Sequence, residues 1–314
     1  MNQLPVEDPE IELGVVGLTE GNGHPYSFAS IVNGYSASAF TESGWDVILE
    51  YLEEKDASEF GFDGVRVTHA WTQDSAETAR LCEAARIPNA TDGLTDLVGL
   101  DGLLLLRDDH ENHLEMALPF LEAGLSVFVD KPLSIDREDL SSFLPYLRNG
   151  RLMSCSGMRF ARELDGMRSR LDTYGDIRVI YGTAVNGWER YGIHVLEAIL
   201  GAIDTRPTAV EAHTANHMSV TIETEGGYPI HIDALGDAPL TFDIDVYGRK
   251  RVTHHSLTDN FQAFRRTLWH FIRGVRTAEP PIAPVETLDV MRVLIAGRLA
   301  STDDRRVDID EIDI

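Results

Sequence analysis

Residues 102–106, GLLLL, carry no polar side chain, and apolar or β-branched runs recur at 11–18, 65–71, 127–129 and 152–156. Such runs are too short for helices: 102–106 predicts a strand buried on both faces, 11–18 a buried strand, and the other three are strand candidates. Helical patterns separate them. Residues 24–33 place Phe28, Ile31 and Val32 at helical spacing and end at Gly34, a residue suited to a C-cap. Residues 75–86 follow Asp74, a good N-cap. A short helix is expected at 94–98. Residues 111–123 put Leu114, Ala117, Leu118 and Leu121 on one face before Gly124, and 137–147 form a further helix. Strands alternating with helices of this length specify an α/β fold built on a parallel, doubly wound sheet.

The second half changes period. A strand at 177–185 and a helix at 188–200 precede alternating stretches at 219–224, 230–234 and 241–246. In the last of these Phe242, Ile244 and Val246 alternate with Asp243 and Asp245. Period-two alternation with glycine turns marks a mostly antiparallel sheet buried on one face. Amphipathic helices at 260–276 and 285–301 close the chain. The predicted organisation is a Rossmann domain over 1–125, with linking elements to about 165, and a second α/β domain over 126–314.

Charge narrows the partners. The chain of 314 residues has 27 Lys and Arg against 52 Asp and Glu, a net charge of −25. That sign opposes binding to nucleic acid or to an anionic membrane surface. A local cradle of backbone N–H groups with one cation can still hold a small anion. Only Lys55, Lys131 and Lys250 are lysines; an acidic, lysine-poor surface reads equally as adaptation to high salt or as selection for solubility. The two cysteines, Cys82 and Cys155, exclude a disulfide scaffold and fit a reducing cytoplasm. No apolar run reaches membrane-spanning length, and the acidic N-terminus lacks the apolar region of a signal peptide.

Four places carry chemistry. The turn after the first strand, Gly17-Leu18-Thr19-Glu20-Gly21-Asn22-Gly23-His24, lies where doubly wound folds seat a pyrophosphate on a helix N-terminus. It departs from G-x-G-x-x-G, although Gly21, Asn22 and Gly23 suit an anion-binding nest. The tip of the second strand reads Thr72-Gln73, with no acid for a ribose diol and nothing to repel a 2′-phosphate. Asp130-Lys131-Pro132 follows a buried strand directly, which aims Lys131 at the ligand crevice. Tyr191, His194 and Glu197 fall at helical spacing, and a histidine backed by a carboxylate is a natural acid–base. Each has a plainer reading: an unliganded turn, a surface lysine paired to Asp130, a packed histidine. Asp108, Asp109, His110 and His113 contain metal-ligand types, but acids there also suit a helix start.

Taken together, the segment from Ala123-Gly124 through Val129-Asp130-Lys131-Pro132-Leu133, the Gly192-Ile193-His194 triplet, residues 242–248 and the 264–274 helix with Pro280-Pro281 resemble the Gfo/Idh/MocA oxidoreductases. The resemblance runs over nearly the whole chain. It implies NAD or NADP in the first domain, a sugar, polyol or sugar-acid substrate, and a homo-oligomer (dimer or tetramer) formed through the open face of the second sheet. It implies catalytic roles for Lys131, His194 and Tyr191. It places the cofactor against Gly17, Thr19, Gly21, Asn22, Gly23, His24, Thr72, Arg107, Asp108, His113, Asp130, Lys131 and Pro132, and the substrate against Arg159, Trp188 and Arg190. Arg190 stands where the family usually has Asp, and Arg107-Asp108-Asp109 where it often has Thr-Pro. Arginine binds carboxylates and phosphates bidentately, which motivates the acidic-sugar expectation. A non-catalytic sensor that binds a dinucleotide or sugar, and a metal-assisted lyase or hydrolase, are the competing readings.

Overall fold

The computed structural model describes residues 10–314; the N-terminal segment read above for a signal peptide lies almost wholly outside them. Six strands form the first sheet: β1 (Ile11–Val16), β2 (Val65–Trp71), β3 (Asn89–Ala90), β4 (Gly102–Leu105), β5 (Ser126–Val129) and β6 (Leu152–Ser154). Their order is β3-β2-β1-β4-β5-β6 and every pairing is parallel. The strand order reverses between β1 and β4, so the crevice opens at their carboxyl ends. β5 and β6 complete this sheet, which therefore runs past residue 125.

Local chemistry explains the elements. Leu103, Leu104 and Leu105 are fully buried, as a strand covered on both faces requires. The helix His24–Asn33 ends at Gly34, and Ser75–Ala84 is capped by Asp74, whose carboxylate accepts from the N–H groups of Ala76 and Glu77. The helix His113–Ala123 stops at Gly124, whose φ of 94° is left-handed. Between the first helix and β2 the chain adds two short helices, Ala37–Thr41 and Asp46–Glu53, with no counterpart in the sequence reading.

The second sheet has seven strands: β7 (Ile177–Ala184), β8 (Pro207–Thr214), β9 (Met218–Thr224), β10 (Ile230–Ala234), β11 (Phe242–Gly248), β12 (Val252–Ser256) and β13 (Val307–Asp308). The order is β12-β11-β7-β10-β9-β8-β13, and only the β7–β10 pair is parallel. β8 and β12 escape the sequence reading because Thr208, Glu211, His254 and Ser256 give them too little apolar character. Helices Ile193–Leu200 and Pro284–Asp303 cover one face. The expected single helix over 188–200 is two pieces: a π-helical turn, Trp188–Gly192, runs into Ile193–Leu200.

The helix Asn260–Thr277 corrects the simple division into halves. It follows β12 of the second sheet in sequence yet buries Phe261, Phe264, Leu268 and Phe271 in the core of the first, beside Phe28 and Phe128. The first domain borrows this helix.

Candidate active site

Three loops leaving the first sheet meet the π-helical turn and following helix of the second domain. Asp130, at the exit of β5, is buried and gathers the first loop around itself. It accepts from Asn22 Nδ2 at 3.0 Å and from the Lys131 N–H at 2.8 Å, and pairs with His24 Nδ1 at 2.6 Å. Burial alone would raise this carboxyl, but His24, Lys131 and Asn22 together hold it well below the usual carboxylate range. The polar atoms of Asn22, His24 and Asp130 thus tie the turn to β5. Gly23 permits the turn to pack closely, since a Cβ there would lie 2.5 Å from Ile48 Cδ1.

Asp108 is the second hub, in the loop after β4. Its Oδ1 accepts from the Thr19 hydroxyl at 2.6 Å and its Oδ2 from Arg190 Nε at 2.7 Å. Lys131 Nζ lies 4.0 Å from the same oxygen and 3.4 Å from the Arg190 carbonyl. A second Arg190 nitrogen donates to the Glu20 carbonyl at 3.2 Å. Arg190 therefore reaches from the second domain across the crevice to the β1 turn. The side chains of Lys131 and Asp108 are 5% and 7% exposed, while that of Arg190 is 49% exposed, so the guanidinium caps the group from the solvent side.

His194 completes the cluster from the other wall. Its Nδ1 lies 2.7 Å from the Ser156 hydroxyl. Its ring meets Phe242 edge-on at 5.2 Å and Tyr191 at 5.9 Å. Burial, and then the charges of Lys131 and His24, hold the imidazole well below its ordinary value. Glu197 does not back this histidine directly, contrary to the helical-spacing expectation. Its carboxylate accepts from the Ser156 N–H at 3.1 Å and faces Arg159 at 3.5 Å. Burial pushes Glu197 up to about 7, against the opposing pull of Arg159.

Lys131, His194, Tyr191, Arg190, Asp108, Thr19 and the Gly21–His24 turn are thus brought together. Pro132 is buried beside Lys131, and Gly17 packs on Pro25 at the base of the turn. Other expected ligand residues lie elsewhere. Thr72 is buried, with its hydroxyl on the Asp74 carbonyl at 2.7 Å. His113 is fully buried, its ring nitrogens facing the carbonyls of Leu133 and Arg107. Trp188 fills the core against Gly297 and donates to the Leu294 carbonyl at 3.2 Å. Arg159 is enclosed by Glu197 and Glu286. Arg107 pairs with Asp109 and donates to Gln73 at 3.1 Å, near the β2 tip. The ligand-type residues at 108–113 do not converge, since Asp108, Asp109 and His113 have these separate partners. No group of three or more metal-ligand side chains occurs among the described residues. The sequence reading missed Ser156; its place at the carboxyl end of β6, on the crevice edge, is the signal that points to it.

No family model matches the chain. In sequence, 112 residues are 28% identical to "Putative oxidoreductase YceM" of Salmonella typhimurium, covering 35% of this chain and about a third (36%) of that protein's length. In structure, the scyllo-inositol dehydrogenase of Lactobacillus casei with bound NAD(H) and scyllo-inositol superposes with a TM-score of 0.75 at 14% identity, over 96% of this chain and 99% of that one. The myo-inositol dehydrogenase of the same organism with NAD(H) and myo-inositol gives 0.73 at 14%, over 95% and 96%. Myo-inositol 2-dehydrogenase of Lactobacillus plantarum gives 0.76 at 13%, over 95% and 99%. The chain has the fold of the inositol dehydrogenases, the Gfo/Idh/MocA type that its motifs resemble. At these identities the likeness is one of architecture, and the reading of function rests on the site.

Proposed function

We propose that the chain is an NAD(P)-dependent oxidoreductase that moves hydride between the nicotinamide and a hydroxyl or carbonyl carbon of a sugar, polyol or sugar acid. The observation that carries this reading is the meeting of buried Lys131, from the first sheet, with half-buried His194 from the second domain, at the carboxyl edge where this fold takes its ligands. The cofactor suits the residues present. The N–H groups of Thr19, Glu20 and Gly21 have no acceptor among the described residues, whereas at the start of the following helix the His24 N–H is already taken by Asn22 Oδ1 at 3.0 Å and Pro25 has none. The N–H groups of residues 19–21 would hold the diphosphate, with Lys131 beside the nicotinamide half. Gln73 and Arg107 lie near the β2 tip, so either NAD or NADP fits there.

The bound nicotinamide supplies the hydride acceptor or donor. The chain's own residues handle the proton. With Nδ1 on Ser156, His194 keeps Nε2 for the substrate hydroxyl, and its lowered affinity for protons leaves it neutral and able to accept one at neutral pH. Lys131, anchored by the Arg190 carbonyl and Asp108, presents a cation to the oxygen on which negative charge develops. Tyr191 lies parallel to Phe242 and walls the same space.

The decisive experiment titrates the protein with NADH and NADPH by nicotinamide fluorescence, then screens polyols, sugars, uronates and aldonates for turnover. Lys131→Ala and His194→Ala should each lose about 10²- to 10⁴-fold in kcat while retaining dinucleotide binding. Binding of neither dinucleotide, or full turnover in both variants, would remove the reading. The same reading extends to a homo-oligomer through the uncovered face of the second sheet, where Tyr181, Tyr247 and Val252 are exposed; a monomeric mass by light scattering would count against it. A cytoplasmic location suits two free, buried cysteines.

A further inference from the structure

We infer that Arg190 is a diphosphate clamp of the dinucleotide site, rather than a substrate ligand or a relic of a lost acid. This deepens the oxidoreductase reading and rests on it. The β1 turn lacks the regular glycine fingerprint, which leaves the backbone cradle short of its usual form. The guanidinium of Arg190 lies over that turn. One of its terminal nitrogens is 3.2 Å from the Glu20 carbonyl and 3.9 Å from where a Cβ on Gly21 would stand. The N–H groups of residues 19–21 in the same turn have no acceptor among the described residues. An anion entering between them meets backbone donors on one side and the guanidinium on the other.

Asp108 aims the clamp. It holds Arg190 through Nε alone, at 2.7 Å, and Nη2 rests on the Glu20 carbonyl, which leaves Nη1 without a partner among the described residues on a side chain that is half exposed. The carboxylate would repel an anion if free, but Thr19, Arg190 and Lys131 surround it. Substrate anchoring suits the position less well. The guanidinium points to the first domain's turn, whereas His194 lies on the wall formed with Phe242 and Ser156. The Arg190 carbonyl also receives Lys131 Nζ, so the segment that senses the diphosphate also positions the lysine.

The test compares wild type, Arg190→Ala and Arg190→Lys in titrations with NADH by fluorescence and with ADP-ribose by calorimetry. ADP-ribose carries the diphosphate without the reactive ring, so binding is read apart from turnover. Arg190→Ala should weaken both ligands about ten- to a hundred-fold, the range for hydrogen bonds to charged groups. Arg190→Lys keeps the charge but loses the fork and should recover part of the loss. It carries the comparison if the alanine variant fails to fold. Affinities within twofold of wild type in a folded variant overturn the clamp, as does unchanged NADH affinity with a raised KM for an anionic substrate. If wild type itself binds neither ligand, the dinucleotide reading falls and the clamp with it.

Discussion

Single residues decide how this site responds to pH. Glu197 is 1% exposed and is raised to about 7 by burial. Its folded form therefore keeps a proton that the unfolded chain releases near 4.3, and stability falls as pH rises between those values. Glu197→Gln should remove that fall; melting temperatures at pH 5 and pH 8 should differ less in the variant than in wild type. Asp130 has the opposite sign. Its depressed value means that its contribution is full above the ordinary carboxylate range and is lost progressively as pH falls from that range toward the lower folded value. The lowered value of His194 places the acidic limb of any kcat/KM profile below the usual histidine range. Lys131 and His194 were legible as candidates because strand exit and helix onset give their positions. Trp188 and Arg159 misled, because aromatic and arginine side chains near a motif serve equally as core and as buried ion pairs, and sequence distance says nothing of which.

At the scale of elements, termini carried the clearest signals. Asp136 caps the helix Arg137–Arg148 through the N–H groups of Glu138 at 2.8 Å and Asp139 at 3.3 Å. Asp136→Ala should cost about 1 kcal/mol, measured by urea unfolding. Five of the six strands of the first sheet were legible, most plainly β4, since a strand buried on both faces must be apolar throughout; the two-residue edge strand β3, exposed at both positions, was not. Strands β8 and β12 were not, because outer strands of a one-sided sheet expose alternate residues and their composition approaches that of loops. The π-helical turn was invisible too. It carries Arg190 and Tyr191, and the three-residue spacing from Tyr191 to His194 was right for proximity; Glu197 shares the regular helix with His194 but is taken by the Ser156 N–H and Arg159.

The whole molecule is held by the exchange of one helix between halves. Phe271, 2% exposed, lies 6.1 Å from Phe128 of β5, although its helix follows β12 of the second sheet. Phe271→Ala should destabilise by about 3–5 kcal/mol. Because the helix joins both parts, chemical denaturation should show one transition shifted as a unit; two separated transitions would show that the halves unfold independently.

The amino-acid sequence alone determined the alternation of the first half, the change of period in the second, and the residues delivered to strand exits, because periodicity, caps and turns act over a few positions. Tertiary structure alone decided that Arg190 spans the crevice to Asp108 and Glu20, that Ser156 rather than Glu197 holds His194, and that the Asn260–Thr277 helix completes the first core. Those contacts join residues roughly 40 to 240 positions apart. No local propensity encodes them; they follow from which surfaces can be buried together.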